Sequence, residues 1–512
     1  MNFSTITEDD LIKIICKLVT GKSCGHDGIS ATIIKWCAPY IMSPLLNILN
    51  AFLKHGSYPK IFKLAKVTAL FKGGIESEAD NFRPISVLPV LNKIFEKIIH
   101  QQLVDFLNLH DVLSKQQFGF RKGHSTSHAV TCLHEKLIDN FEKGEMSAVL
   151  FIDLKSAFDT IDIEILLKKL HHYGLRNNVF NLLKSYLTDR KQYVNSSDLK
   201  SEILSVLCGV PQGSVLGPLL FIIYINDIHE SSLFDCVLFA DDAALIISAK
   251  KLNKLMKNLK IQSNLFFDWL VSNKLTLNYS KTKYMLFVNK TVSPKLLKKT
   301  NLNINKHHIK KVSVFKYLGV YLDNKLTWKE HVRILQAKLA RVTGVIYKMR
   351  NYTPRNVLMM LYNALVGSYL RYGIRAWGSC SPSLLDSLQE SQDKVIRALL
   401  FLPYTADTLS GFSQLKVPNV KCIHKHEVVK LIHSVYYNYS PHAFSNFLKI
   451  SAHGYPTRLR EDSHFSLIKP KTDFGKSSLR FSGIKKWIAL STSLKEIPEA
   501  HVFNKNFKKM FT

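Results

Sequence analysis

Two apolar stretches of the chain run directly into carboxylates. Residues 147–153 read SAVLFID, and residues 236–242 read CVLFADD. Near-continuous apolar runs of this length predict strands buried on both faces. A buried strand that delivers a charge at its end is a poor structural choice unless that charge is paired or bound to a cation. One such strand could be a surface accident. Two of them, one ending in Asp241-Asp242, point to a divalent metal cluster. Asp153, Asp241 and Asp242 offer hard oxygen donors with no His or Cys nearby, which selects Mg²⁺, with Mn²⁺ as a substitute, over zinc. Two such ions about 3.5–4 Å apart can activate an attacking hydroxyl and stabilise the leaving oxygen of an in-line phosphoryl transfer.

The charge balance points to the class of substrate. Lys plus Arg number 70 against 39 Asp plus Glu, a net charge of +31. That excess costs self-repulsion in a compact fold and is best explained by a polyanionic partner. Nucleic acid is the leading reading and an anionic membrane surface its rival. From Ser280 through Lys316 there are ten lysines and no acid. The carboxylates and the charge together point to nucleotidyl transfer on a nucleic acid.

Other features bound the class. With 46% hydrophobic residues and only 22 Gly and 16 Pro in 512, the chain is neither disordered nor fibrous. Its length allows about three domains. Eight cysteines without a CxxC pair argue against a disulfide framework and suit a reducing compartment. Cys422, His424 and His426 are close in sequence, but C-x-H-x-H is not a standard zinc spacing. Glu8, Asp9 and Asp10 stand where a signal peptide would be positive. No uninterrupted apolar run reaches the roughly 18 residues of a membrane span; the nearest, Val215 to Ile225, is broken by Gly217 and Pro218. The expectation is a soluble intracellular protein without a membrane partner.

Apolar spacing predicts helices within residues 1–60, over Lys93–Leu107, over Lys250–Lys260 and over Val332–Met349. Ala65–Phe71 reads as a strand ending at the turn Lys72-Gly73-Gly74. Residues 290–311 read as a lysine-rich, partly disordered loop, and the last hundred residues as short β-type runs. No internal repeat is apparent.

The motifs, taken in order, resemble those of reverse transcriptases, specifically the non-LTR (LINE-type), jockey-like retrotransposon enzymes. FADD at 239–242 looks like their YxDD-type motif with Phe239 for the usual Tyr, and FIDLKSAFDTID at 151–162 like their first carboxylate motif. GVPQGSVLGPLLFIIYINDI at 209–228 resembles their PQG motif. NFRPISVLPVLNKIFEKII at 81–99 and QFGFRKGHST at 117–126 resemble their fingers motifs. NKLTLNYSKTKYMLF at 273–287 and FKYLGVYLD at 315–323 resemble the two motifs after the catalytic strand pair. YLRYGIRAWG at 369–378 and YPTR…TDFGKSSLRFSGIKKW at 455–487 look like the thumb and tail of jockey-like elements.

The resemblance implies roles residue by residue. Asp153 and Asp241 bridge two metals, the Leu154 carbonyl adds an oxygen ligand, and Asp242 is a secondary ligand or tunes the site. Asp159 and Asp162 are read as structural. Arg83, joined by Lys72, reaches the incoming triphosphate, which needs cationic neutralisation beyond the metals; the other reading of Lys72 is a solvated turn lysine. Gln212, on a turn permitted by Gly213, touches the nucleotide sugar and base. Phe158 is a steric gate against ribonucleotides, or else an apolar residue under the palm sheet. Lys281 is the general acid for the leaving pyrophosphate, or one lysine among ten. Phe315, Lys316, Tyr317, Leu318 and Gly319 form the hairpin that grips the primer end. Gln117, Phe118 and Arg121 line the template path.

The expected fold is therefore α+β, a right-hand polymerase. Fingers take 1–145 and an antiparallel palm sheet 146–325, with an inserted fingers segment at about 165–208. A helical thumb spans 326–405 and a basic C-terminal region 406–512. The expected partners are dNTPs, an RNA template and a DNA primer or target DNA, in a ribonucleoprotein of cytoplasm and nucleus. Rival readings are an RNA-dependent RNA polymerase on the same palm, against which the bulky Phe158 argues, and a catalytically inactive or domesticated nucleic-acid-binding remnant. Elements of this kind carry an endonuclease ahead of the polymerase, and no nuclease motif precedes residue 60.

Overall fold

The computed structural model describes residues 1–196, 199–288, 292–445, 447–448, 465, 467 and 469–509. The chain divides into two compact units. The first takes Met1–Phe120, Leu154–Ser232 and Leu265–Asn278; the second takes Arg121–Asp153, Leu233–Asn264 and Tyr279–Thr512.

In the first unit, the strand Leu64–Phe71 pairs antiparallel with Phe82–Val87 and parallel with Arg190–Ser196, which takes Leu204–Val206 antiparallel on its other side. Ala65 and Val67 alternate inward along the first strand, as period-two patterning requires. The core centres on the helix Leu216–Tyr224, in which every residue but Pro218 is buried. The apolar run at 215–225 is thus a core helix. Its N-terminus is held by the buried Glu96 of the Val90–Leu109 helix, whose carboxylate accepts from Val215 N–H at 2.5 Å, Asn92 Nδ2 at 3.0 Å and the Tyr186 hydroxyl at 3.1 Å. An acceptor placed at a helix start satisfies an amide that has no partner within the helix.

One helix of this unit departs from expectation. Ala31–His55 is 25 residues long and, by length and composition, apolar enough to cross a membrane. Asn47, Asn50 and two prolines interrupt its apolar residues, so no continuous run betrays it in the sequence. Only Ile34, Met42, Leu49 and Leu53 are buried.

The second unit is built on a sheet with strand order Leu302–Ile304, His307–Lys311, Lys283–Phe287, Met146–Ile152, Asp242–Ala249, Asp235–Phe239. Met146–Ile152 is central, and all seven of its residues are buried, which is why it reads as a continuous apolar run. The helix Thr126–Glu142 packs against this sheet and is buried on more than one face, with Ala129 through Glu135 all buried, as are Leu137, Ile138 and Phe141. Helices Lys329–Met349 and Pro382–Leu400 pack on each other, with Leu335, Leu339, Val342 and Ile346 of the first buried.

Two expectations are corrected in this unit. The predicted loop at 290–311 contains the helix Pro294–Lys298 and the hairpin Leu302–Ile304/His307–Lys311, which extends the sheet by parallel pairing with Lys283–Phe287; residues 289–291 lie outside the described residues. Asn305 and Lys306 both take positive φ, the requirement of a tight type I′ turn. The last hundred residues are helical rather than β-type among the described residues, the longest helix being Val420–Tyr436. Its Val, Ile and Tyr content favours strand, but Val420, Ile423, Leu431, Ile432 and Val435 are buried at helical spacing, and packing overrides propensity. The YPTR tetrapeptide at 455–458 lies outside the described residues. The segment after it is tied to the Thr126–Glu142 helix. Glu142 accepts from the Lys471 and Thr472 amides at 2.7 and 2.9 Å, Glu135 accepts from Leu479 N–H at 3.0 Å, and Arg480 donates to Asp139 at 2.6 Å.

Candidate active site

In the second unit, Asp153 is the first residue after the central strand, and Asp242 is the first residue of the strand beside it. The register pairs Ile152 with Ala243, so one further step sets Asp153 opposite Asp242. Asp241 occupies the two-residue turn of the hairpin that pairs Phe239 with Asp242. Ala240 opens this turn at φ +56, in a region that L-residues occupy at a cost and that recurs at functional sites. Only the first turn residue has positive φ, the pattern of a type II′ hairpin.

Asp153 and Asp242 line a cavity of 520 Å³ with Ser280, Lys281, Lys283 and the 315–319 hairpin. Desolvation by the surrounding protein, followed by repulsion from Asp241 and then Asp153, pushes the Asp242 carboxyl up to about 6, although one side of the residue faces solvent. The exposed Lys281 places Nζ 3.9 Å from Asp153 Oδ2. Among the described residues no three His, Cys, Asp or Glu side chains are drawn together as a metal shell. Lys281 supplies the near cation for Asp153. Hard carboxylate oxygens, with Asp241 and Asp153 raising the proton affinity of Asp242, nevertheless fit a divalent cation in chemistry.

The first unit holds the expected nucleotide residues. Lys72 and Arg83 are exposed beside each other's strand ends, with Leu70 paired to Arg83 and Lys72 N–H donating to Asn81 O at 2.8 Å. Gln212 is fixed through its backbone, because Ser86 N–H donates to its carbonyl at 2.7 Å. Gly213, at φ +115, brings the loop so close that a Cβ there would lie 2.7 Å from Ser86 O. The Gln212 side chain donates through Nε2 to Asp159 Oδ2 at 2.7 Å. Phe158 is half-buried, stacked on Phe221 with centroids 4.5 Å apart and edge-on to Phe120 at 6.0 Å. Leu154 is buried and bridged to Leu277.

Residues 72–322 match the family described as reverse transcriptase (RNA-dependent DNA polymerase). The chain carries a reverse transcriptase domain. It is 28% identical over 435 residues to the "RNA-directed DNA polymerase from mobile element jockey" of Drosophila melanogaster, covering 81% of this chain and 46% of that protein. It is 30% identical over 414 residues to the "Probable RNA-directed DNA polymerase from transposon BS" of the same species, covering 78% and 45%. The chain thus spans about half the length of the curated relatives it matches. A solved telomerase from Candida albicans superposes at a TM-score of 0.34 with 16% identity, over 74% of this chain and 65% of that one.

The reverse transcriptase domain places its other expected residues unevenly. The strands Val314–Tyr317 and Val320–Asp323 form the expected hairpin around Leu318-Gly319. Phe315 stacks on Phe151 at 4.2 Å, the buried Tyr317 donates its hydroxyl to Val237 O at 3.3 Å, and Tyr372 donates to Leu318 O at 2.5 Å. Lys316 is exposed. Gln117 and Phe118, by contrast, are buried, with Gln117 Oε1 accepting from Gly119 N–H at 2.7 Å. That is a packing position and departs from the expectation of template-facing side chains; Arg121 is half-buried. Asp162 caps the helix Ile163–His172 by accepting from Ile165 N–H at 2.9 Å and pairs with Lys274 at 2.6 Å, in line with its structural reading. Sequence reasoning missed the Asp159–Gln212 bond and the Tyr372 anchor. The YLRYG motif holds Tyr372, and the AFD of 157–159 holds Asp159, but neither motif names a partner.

Proposed function

We propose that this chain catalyses RNA-templated DNA synthesis for the retrotransposition of a non-LTR element. Its substrates are dNTPs, an RNA template and a DNA 3′-OH primer, which target DNA can supply. The observation that carries the reading is the juxtaposition of Asp153 and Asp242 on adjacent strand ends, with Asp241 in the turn between paired strands, inside a reverse transcriptase domain. Asp153, Asp241, Asp242 and the Leu154 carbonyl would hold two Mg²⁺ ions, for which Mn²⁺ can substitute; bound there, they would supply Lewis-acid activation for the primer hydroxyl and positive charge for the leaving pyrophosphate.

The chain's own residues do the rest. Lys72 and Arg83 neutralise the triphosphate, and Gln212, presented by Gly213, meets the sugar and base. Phe158 limits the sugar to the deoxy form. Lys281, beside Asp153, donates the proton that the leaving pyrophosphate takes up. Phe315, Lys316, Tyr317, Leu318 and Gly319 hold the primer end, and Arg121 the template. In this reading 1–145 are fingers, 146–325 the palm with its inserted fingers segment, 326–405 the thumb, and 406–512 a basic C-terminal region. The test is primer extension by purified protein on a poly(A) RNA template with an oligo(dT) primer. Product that requires the template and dTTP supports the reading; binding without extension marks a catalytically inactive remnant.

A further inference from the structure

The loop 209–214 and the turn 157–161 are joined by more bonds than their backbones need. Gly209 N–H donates to Ile161 O at 2.8 Å, and Val210 N–H to Phe158 O at 2.9 Å. Cys208 Sγ donates to Asp159 O at 3.2 Å. Gly209, at φ +84, brings the two chains so close that a Cβ would lie 2.7 Å from Asp159 O. With Ser86 holding the Gln212 carbonyl from the other side at 2.7 Å, the main chain of the loop is fixed without help from the Gln212 or Asp159 side chains. What these bonds leave open is the Gln212 side chain and, above all, which end of its amide points where.

The Asp159 carboxylate decides that. An ionised carboxylate can only accept, whereas an amide offers donors at one end and an acceptor at the other. Asp159 Oδ2, 2.7 Å from Gln212 Nε2, therefore takes the NH₂ end and turns the carbonyl oxygen away from itself. Burial raises the proton affinity of Asp159, and the Lys72 charge, after the Gln212 bond itself, opposes that effect. Lys72, Asp159 and Gln212 so form one electrostatic chain within the first unit.

We propose that Asp159 is a positioning residue: it orients the Gln212 amide so that its carbonyl oxygen is presented as a hydrogen-bond acceptor to the incoming deoxynucleotide. The inference rests on the proposed function, which gives Gln212 its nucleotide. It departs from a purely structural reading of Asp159, because the backbone bonds already do the structural work.

A double-mutant cycle in steady-state primer extension tests it. Asp159→Ala should raise the KM for dTTP roughly 3–10-fold, the worth of one oriented hydrogen bond, with kcat changed less than about twofold. Asp159→Asn, whose carbonyl can still accept from Nε2, should recover most of the loss. In a Gln212→Ala background, Asp159→Ala should add nothing. An equal rise in KM in both backgrounds, or a loss of kcat not rescued by Asp159→Asn, overturns the positioning role. If the wild-type chain extends no primer, the proposed function falls instead; the same cycle, read as the Kd for dTTP by calorimetry, then reports whether the two side chains are coupled. Independent effects there overturn the inference as well.

Discussion

An aromatic ring such as Phe158 can serve the nucleotide and the core at once, because packing one face leaves its edge for a second contact. The ring stacks on the fully buried Phe221 and meets Phe120 edge-on, yet the residue remains half-buried. A ribose 2′-OH pressed against ring carbons would lose its water without gaining a partner. Phe158→Val should therefore raise the ratio of rNTP to dNTP incorporation efficiency by on the order of tenfold or more, while costing about 1–3 kcal/mol of stability through the lost stacking. The ratio and the unfolding midpoint measured on one preparation separate the two effects. An unchanged ratio with lowered stability would make Phe158 a core residue alone. At this scale the sequence was most readable where chemistry restricts the choice of side chain. Asp153, Asp241 and Asp242 stand out because carboxylates at the ends of apolar strands need a reason. Asp159 does not: its partner lies 53 positions away, and no periodicity links a turn residue to a distant amide. Gln117 and Phe118 misled for the opposite reason, since a motif names residues without saying which way they face.

Elements were legible where the spacing and the propensity of their buried residues agreed. The strands at 146–152 and 235–239, the helix at 90–109 and the Lys329–Met349 helix all follow the spacing of their apolar residues. The Leu302–Ile304/His307–Lys311 hairpin was not legible, because it lies at the sheet edge and alternates buried Leu302, Ile304 and Ile309 with Asn, His and Lys. The helices after residue 406 were hidden by β-branched and aromatic residues that serve a helical core. The Lys329–Met349 helix carries a consequence for pH. Its His331 is 4% exposed, and its Nδ1 accepts from Tyr321 N–H at 3.4 Å. Nε2 has no hydrogen-bond partner among the described residues. Burial, and after it the charge of Lys338, lowers its pKa to about 4. The ordinary value in an unfolded chain is about 6.5. Above pH 6.5 the ring is neutral in both states and contributes no pH dependence. Below it the unfolded chain takes up the proton first, so stability falls with falling pH down to about 4. At pH 5 this one group should cost roughly 2 kcal/mol relative to pH 7. His331→Asn keeps an acceptor for Tyr321 and removes the titration. Denaturant unfolding at pH 7 and pH 5 should show a smaller difference for the variant, and an equal difference would mean that His331 does not titrate as a buried group.

For the whole molecule the dominant fact is its charge of +31. The lysines of 281–316 and the basic helix Lys329–Met349 both belong to the second unit, as do the three carboxylates. Binding that releases counterions from phosphates is steep in salt and nearly indifferent to sequence. If 6–10 phosphates are contacted, affinity for an RNA–DNA hybrid should fall by roughly 10³–10⁵ between about 50 and 200 mM salt. A flat titration by fluorescence anisotropy would contradict that reading of the charge. Net charge speaks for a partner but not for chemistry, and the chemistry rests on three carboxylates. Asp241→Asn keeps the size of the turn residue and removes the charge that would hold metal in the proposed function. Primer extension on an RNA template, run with wild type and Asp241→Asn at equal hybrid binding, is the direct measurement. The wild type should synthesise DNA in a template-dependent manner, and the variant should make none detectable. Extension by Asp241→Asn at the wild-type rate would rule out the assignment of Asp241 to the site.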